Sequence, residues 1–122
     1  MSLRHATIGQ IAVNVHDLSR AVSFYRDTLG LKFLFEAPLM AFFDLNGVRL
    51  MLVKPEKPEF DHPASIIYYN VPDLLETHKE LLSKSVTFES DPHLVARMPD
   101  HELWMAFFKD LDGNHLALMS EL

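Results

Sequence analysis

The chain spells nearly the same phrase twice. Residues 40–47 read MAFFDLNG and residues 105–113 read MAFFKDLDG, with one Lys inserted the second time. An internal repeat restricts the possible folds more than any single motif, because each copy must be one supersecondary unit. Other anchors recur with it. Val15-x-Asp17-Leu18 has a counterpart in Val71-x-Asp73-Leu74, and Asp44-Leu45-Asn46-Gly47 in Asp110-Leu111-Asp112-Gly113.

The local patterns give both halves the same order. Residues 8–15 (IGQIAVNV) predict a strand, since Ile11, Val13 and Val15 alternate with Gln10, Ala12 and Asn14. A helix follows. Asp17 or Ser19 can cap it, Leu18, Ala21, Val22, Tyr25 and Leu29 fall at helical spacing, and Gly30 sits where a left-handed residue would end it. LKFLFEAP and LMAFFD read as strands, Asn46-Gly47 as a hairpin turn and VRLMLVKP as the return strand. Residues 54–64 (KPEKPEFDHPA), with three prolines and three acidic residues, read as a linker without an element. Then the order restarts. SIIYYNV is a strand and PDLLETHKELLSKS a helix, with Leu74, Leu75, Leu81 and Leu82 assigned to its apolar side. VTFES reads as a short strand, and residues 90–99 as a loop broken by Pro92 and Pro99. ELWMAFFKD and HLALMSE, joined by a turn at Asp112-Gly113, are the last two strands. Each half is thus strand, helix, strand, strand, strand. The fold class expected is α+β, two tandem βαβββ modules within one domain over residues 1–122. Module one spans about 5–54, the linker about 55–63 and module two about 64–120.

Composition narrows the function classes. With 122 residues, 48% of them hydrophobic, the chain can bury a core and fits a single domain. It contains no cysteine, which removes disulfides and thiolate metal sites and fits a reducing cytoplasm. A net charge of -6 without a Lys/Arg cluster argues against nucleic acid and anionic membranes as partners. No apolar run is long enough to span a bilayer, and the N-terminus lacks a signal-peptide pattern.

Two stretches then carry a family resemblance. V-x-D-L followed by A-x-x-F-Y-x-D-x-L-G-L spans Val15 to Leu31, and F-F-x-D-x-D-G-N-x-L-x-L spans Phe107 to Leu118. Together they resemble the vicinal oxygen chelate superfamily, which includes glyoxalase I, bleomycin-resistance proteins and extradiol dioxygenases. The resemblance implies a curved mixed sheet around a cleft. In the family's metal enzymes it also implies one divalent cation, bound from the first and fourth strands of each module. The first-strand ligand lies seven residues before the Asp of V-x-D, and the fourth-strand ligand seven after the turn's leading Asp. Those positions are Gln10, Met51, Ile66 and Ala117 here. Gln is a permissible ligand. Met51 offers a soft thioether, and Ile66 and Ala117 offer no donor, whereas a hard cation needs oxygen or imidazole donors. Sliding the alignment by two residues brings in only His115 as an improvement. No cofactor is therefore expected. A divalent metal held by an atypical set, Gln10 with His115 or His101, is the alternative.

Other residues carry two readings each. Gln10 either orients a ligand or faces a solvated cleft. Arg49, alternating with Leu50 and Leu52, shares a face with Met51, where it pairs a substrate carboxylate or is an exposed strand-end Arg. Tyr68 and Asn70 are cleft candidates. Trp104, Phe107 and Phe108 line an aromatic pocket or belong to the core, and pairing across the turn places Trp104 and Phe108 with His115 and Ala117. His115 is an acid/base or metal group, or a histidine beside a turn. His93 and His101 flank a loop that reads as a lid, an alternative metal site or a solvated segment. The ligand-binding set is thus Gln10, Arg49, Met51, Tyr68, Trp104, Phe108 and His115, with no catalytic residue assigned. The function expected is a metal-free binder of a small apolar or aromatic molecule, like the bleomycin-resistance branch. The first alternative is a glyoxalase- or dioxygenase-type enzyme, and the second an interaction module whose cleft its own side chains fill. The family likeness also implies a homodimer.

Overall fold

The computed structural model of the chain describes residues 2–122. Two compact units divide it at His62 and Pro63. In the first, strand β1 (Gln10–Asn14) leads to helix α1 (Leu18–Ser23), which continues as a π-helical turn over Phe24–Thr28. Strands β2 (Lys32–Ala37), β3 (Met40–Leu45) and β4 (Val48–Val53) follow. The second contains β5 (Ile67–Asn70), α2 (Leu74–Ser83), β6 (His93–Arg97), β7 (Glu102–Lys109) and β8 (His115–Glu121). The sheets run β1-β4-β3-β2 and β5-β8-β7-β6, with β1/β4 and β5/β8 parallel and the remaining pairs antiparallel. These are two four-stranded mixed sheets of identical topology, as the repeat requires.

The recurring anchors do the same work in both units. Asp17 is the N-cap of α1, accepting the Arg20 N–H at 3.1 Å. Asp73 caps α2 by accepting the Glu76 N–H, also at 3.1 Å. Each aspartate satisfies a donor that a helix start leaves open. Of the two sequence candidates Asp17 and Ser19, the cap is Asp17. Gly30, at φ +78°, terminates the first helical segment, and Asn46 (φ 51°) with Gly47 (φ 99°) makes the tight β3–β4 hairpin.

One face of each sheet packs on its helix. In the first unit Val13, Val15, Leu50, Leu52, Ala41 and Phe43 are buried together with Ala21, Val22 and Tyr25, and the Tyr25 and Phe43 rings lie 6.2 Å apart. In the second, Phe108, Leu116, Leu118 and Ala106 are buried with Leu74 and Leu81, and Phe88 bridges Phe108 (5.1 Å) to His78 of α2 (4.4 Å). The FF of each repeated phrase splits across its sheet in the same way. Phe42 opposes Met51 and Phe107 opposes Ala117, while Phe43 opposes Leu50 and Phe108 opposes Leu116. Lys109 does not disturb this parity, because the second turn is longer. Residues 110–114 separate the paired Lys109 and His115, against Asn46-Gly47 alone between Leu45 and Val48.

Several sequence expectations need correction. VTFES is not a strand; only an isolated bridge joins Phe88 to Phe108. The second strand of that unit is instead β6, inside the stretch read as a loop. Pro92 and Pro99 lie just outside β6, where a missing N–H costs the ladder nothing, so they bound the strand and do not break it. Leu75 and Leu82 are 58% and 48% exposed, whereas Leu74 and Leu81 are buried. Adjacent helical residues differ by about 100°, so a pair of neighbouring leucines cannot both centre on one stripe. The linker also contains a single 3₁₀ turn, Pro58–Phe60. It is held from β1 by Asn14, whose Nδ2 donates to the carbonyls of Phe60 (2.6 Å) and His62 (2.9 Å).

One buried polar atom stands out. Tyr69 Oη has no hydrogen-bond partner among the described residues. Burial, seconded by the charge of Asp110, pushes its phenol pKa well up from the ordinary value. The neutral form is therefore favoured in the folded state. Stability from this group is complete below the unfolded tyrosine pKa of about 10 and declines as pH rises above it, where the unfolded chain loses the proton first. Tyr69→Phe removes an unsatisfied hydroxyl. We expect its stability at pH 7 to equal or exceed wild type by up to about 1 kcal/mol, with a shallower loss above pH ~10, in urea titrations across pH.

Candidate functional site

The sheet faces turned away from the helices carry the polar and aromatic residues that no core packing explains. In the first unit the register sets Gln10, Arg49, Asp44 and Lys32 in one row, and Ala12, Met51, Phe42 and Phe35 in the next. The alternation that buries Leu50 and Leu52 forces Arg49 and Met51 onto this open face. Gln10 and Met51, two of the family-implied ligand positions, are brought together, with Gln10 Nε2 directed at Met51 Sδ 3.7 Å away. The Arg49 guanidinium lies 5.6 Å from the centroid of Phe42. Phe42 in turn stacks on Phe35, with centroids 4.6 Å apart and planes at 28°. Phe35 remains 48% exposed.

The second unit repeats the plan with different chemistry. Tyr68, Ala117 and Phe107 share a row, and Asn70, Met119, Met105 and His93 share another. The Tyr68 and Phe107 rings meet edge to face at 6.0 Å across Ala117, which is fully buried. His93 stacks on Phe107 at 6.1 Å, so it belongs to an aromatic cluster on β6 and not to a loop lid. Ile66, just before β5, is 45% exposed. His115 lies two residues before Ala117, as Arg49 lies two before Met51, and its Nδ1 is 3.1 Å from Glu89 Oε1.

Trp104 and Phe108 are not on this face. Trp104 is in register with Ser120 and Phe108 with Leu116, so both point to the helix side, opposite His115 and Ala117. Phe108 is 1% exposed and is core. Trp104 Nε1 donates to Glu102 Oε1 at 3.2 Å. The five-residue turn, not the position of Lys109 alone, decides this parity. Phe35, Phe42 and Phe107 take the open-face role instead, and the signal for Phe42 was available in its alternation with buried Phe43. Phe35 was hidden by the bulge between Phe33 and Phe35, which shifts the strand's parity.

His101 lies at the far end of β7 from His115, since Glu102 and Lys109 bound that strand. His115 pairs with Lys109, so at about 3.3 Å per residue along β7 the two histidines are about 25 Å apart and cannot share a cation. His101 Nδ1 sits 2.7 Å from Asp100 Oδ1, a hydrogen bond that holds the Asp100 carboxyl below its usual pKa. No group of three or more His, Asp or Glu side chains able to surround a metal ion occurs among the described residues. No helix among them is long and apolar enough to cross a membrane.

The model of the Glyoxalase/Bleomycin resistance protein/Dioxygenase superfamily matches residues 7–118. The uncharacterized protein YraH of Bacillus subtilis (strain 168) is 28% identical over 130 residues, covering 93% of this chain and 97% of that one. The metallothiol transferase FosB of Staphylococcus haemolyticus is 29% identical over 119 residues, covering 91% and 81% respectively. A solved member of the glyoxalase/bleomycin resistance protein/dioxygenase superfamily from Sphaerobacter thermophilus DSM 20745 aligns with a TM-score of 0.78. It is 26% identical, over 95% of this chain and 98% of that chain. With the match extending over nearly the whole duplicated βαβββ architecture, the chain belongs to the glyoxalase/bleomycin resistance protein/dioxygenase superfamily.

Proposed function

We propose that this protein binds a small apolar or aromatic molecule on the open sheet faces, through a family metal site that has degenerated. The observation that carries the reading is the chemistry at the four implied ligand positions. Gln10 supplies an amide, Met51 a thioether, and Ile66 and Ala117 only alkyl groups. Such a set does not fit a hard divalent cation, which needs several oxygen or imidazole donors. The surroundings support an organic ligand instead. An exposed ring, Phe35, stacked on the buried Phe42 with Gln10 and Arg49 beside them, suits an aromatic compound. Tyr68 and Phe107 offer a second aromatic pair. The reading places the protein in the cytoplasm and as a homodimer, whose mass sedimentation velocity would report.

A panel of aromatic compounds in a thermal-shift assay, with and without EDTA, tests the proposal. A ligand at about 100 times its Kd adds about 2.7 kcal/mol of stability, a rise of several degrees in Tm. The rise is expected to be the same in chelator. Stabilisation that needs added divalent metal would contradict the reading. The competing one, a metal-dependent enzyme with an atypical ligand set, draws on the His115–Glu89 pair and on the likeness to FosB.

A further inference from the structure

We infer that the ligand of the first unit is an aromatic carboxylate, with Arg49 as its anion-binding group and the Phe35–Phe42 stack as its platform. This rests on the small-molecule reading above and names its ligand class. The two repeats are unbalanced at one position. Arg49 and His115 occupy the same position, two residues before Met51 and Ala117. His115 has Glu89 at 3.1 Å. Arg49 has no carboxylate within ion-pair distance among the described residues, although the chain as a whole carries a net charge of -6. Its neighbour in the register, Asp44, directs Oδ1 to the Gly47 N–H in the turn, 3.2 Å away. The contact found for the Arg49 guanidinium is the Phe42 ring, 5.6 Å from it.

A cation resting on an aromatic stack recognises a ligand with both a π-face and an acid. The exposed Phe35 ring offers a surface for stacking, continuous through Phe42 with the guanidinium. Arginine's planar fork matches a carboxylate with two parallel hydrogen bonds. Gln10 begins the same row, and its partner, the Met51 thioether, is a weak acceptor at 3.7 Å, so its amide can exchange that contact for a carboxylate oxygen. Lys32 closes the row beyond Asp44, and one guanidinium beside that aspartate matches a monoanion better than a dianion.

Calorimetric titration with a matched pair of probes, 2-naphthoate and 2-naphthamide, tests this. They share the ring and differ in charge. Wild-type protein is expected to bind the carboxylate about tenfold more tightly. Arg49→Met should erase that preference while leaving the amide's affinity in place, and Arg49→Lys should keep part of it. Lys32→Met should retain the preference, and Phe35→Ala should weaken both probes. Melting curves of each variant check that exposed substitutions leave the fold intact. Equal binding of both probes by wild type, or a preference that survives Arg49→Met, would sink the carboxylate assignment while the aromatic-ligand reading stands. Silence of both probes would remove the platform itself, and this inference with it.

Discussion

Phe108→Ala is expected to destabilise the protein by about 4 kcal/mol, while Phe107→Ala, one residue away, costs about 1 kcal/mol. Phe108 is 1% exposed and its ring packs on Phe88 beneath α2. Truncating it opens a cavity that close-packed neighbours cannot fill, which adds to the lost transfer free energy. Against a total of about 5–15 kcal/mol for a typical domain, that is a large fraction of the stability. Phe107 lies on the other face, half-buried between Tyr68 and His93. Its loss uncovers Ala117 but leaves the helix-side core whole. Urea denaturation of the two variants measures the difference. Equal costs, or the reverse order, would show that the register across the 110–114 turn is wrong.

Asp110→Ala is expected to cost about 3 kcal/mol, and the same change at its repeat counterpart Asp44 about 0.5 kcal/mol. Asp110 is buried and accepts three hydrogen bonds at 2.9 Å, from the N–H groups of Asp112 and Asn114 and from Asn114 Nδ2. Asn114, buried as well, holds the entry to β5 by accepting the Ala64 N–H at 3.3 Å. Removing the carboxylate strands the buried Asn114 donors and the part-buried Asp112 N–H, and hydrogen bonds to charged groups are the stronger kind. Asp44 is more exposed and accepts one turn N–H, from Gly47 at 3.2 Å. The contrast, read from paired urea curves, tests whether the longer second turn is a polar keystone. Comparable losses at both aspartates would refute it.

The duplication was readable because it is written in residues whose chemistry is local. An aspartate before a helix and an Asn-Gly between strands act within a few residues, so their spacing survives as a signal. The faces of β1, β4 and β5 were also readable, since strict alternation sets Gln10, Arg49, Met51, Tyr68 and Asn70 apart from the core. What failed depended on longer-range geometry. The face that Trp104 and Phe108 take depends on a turn whose length the residues do not state. β6 was hidden by flanking prolines that read as breakers but sit outside the ladder. Leu75 and Leu82 are as apolar as Leu74 and Leu81, but each lies about 100° around the helix from its buried neighbour and so off the buried stripe. Phe35 joined the site only through a bulge, which changes strand parity without a residue signature.

The proposed function of the open faces requires that no metal be needed. In the first unit a cation would meet the Gln10 amide and the Met51 thioether at the implied positions, and in the second His115 is already engaged by Glu89. The most direct measurement is the metal content of protein purified without chelator, by elemental analysis of wild type, Gln10→Ala and His115→Ala. The proposed metal-free reading predicts substoichiometric metal in all three, unchanged by either substitution. One equivalent of Ni, Zn, Mn or Fe per wild-type chain, lost in either variant, would contradict it.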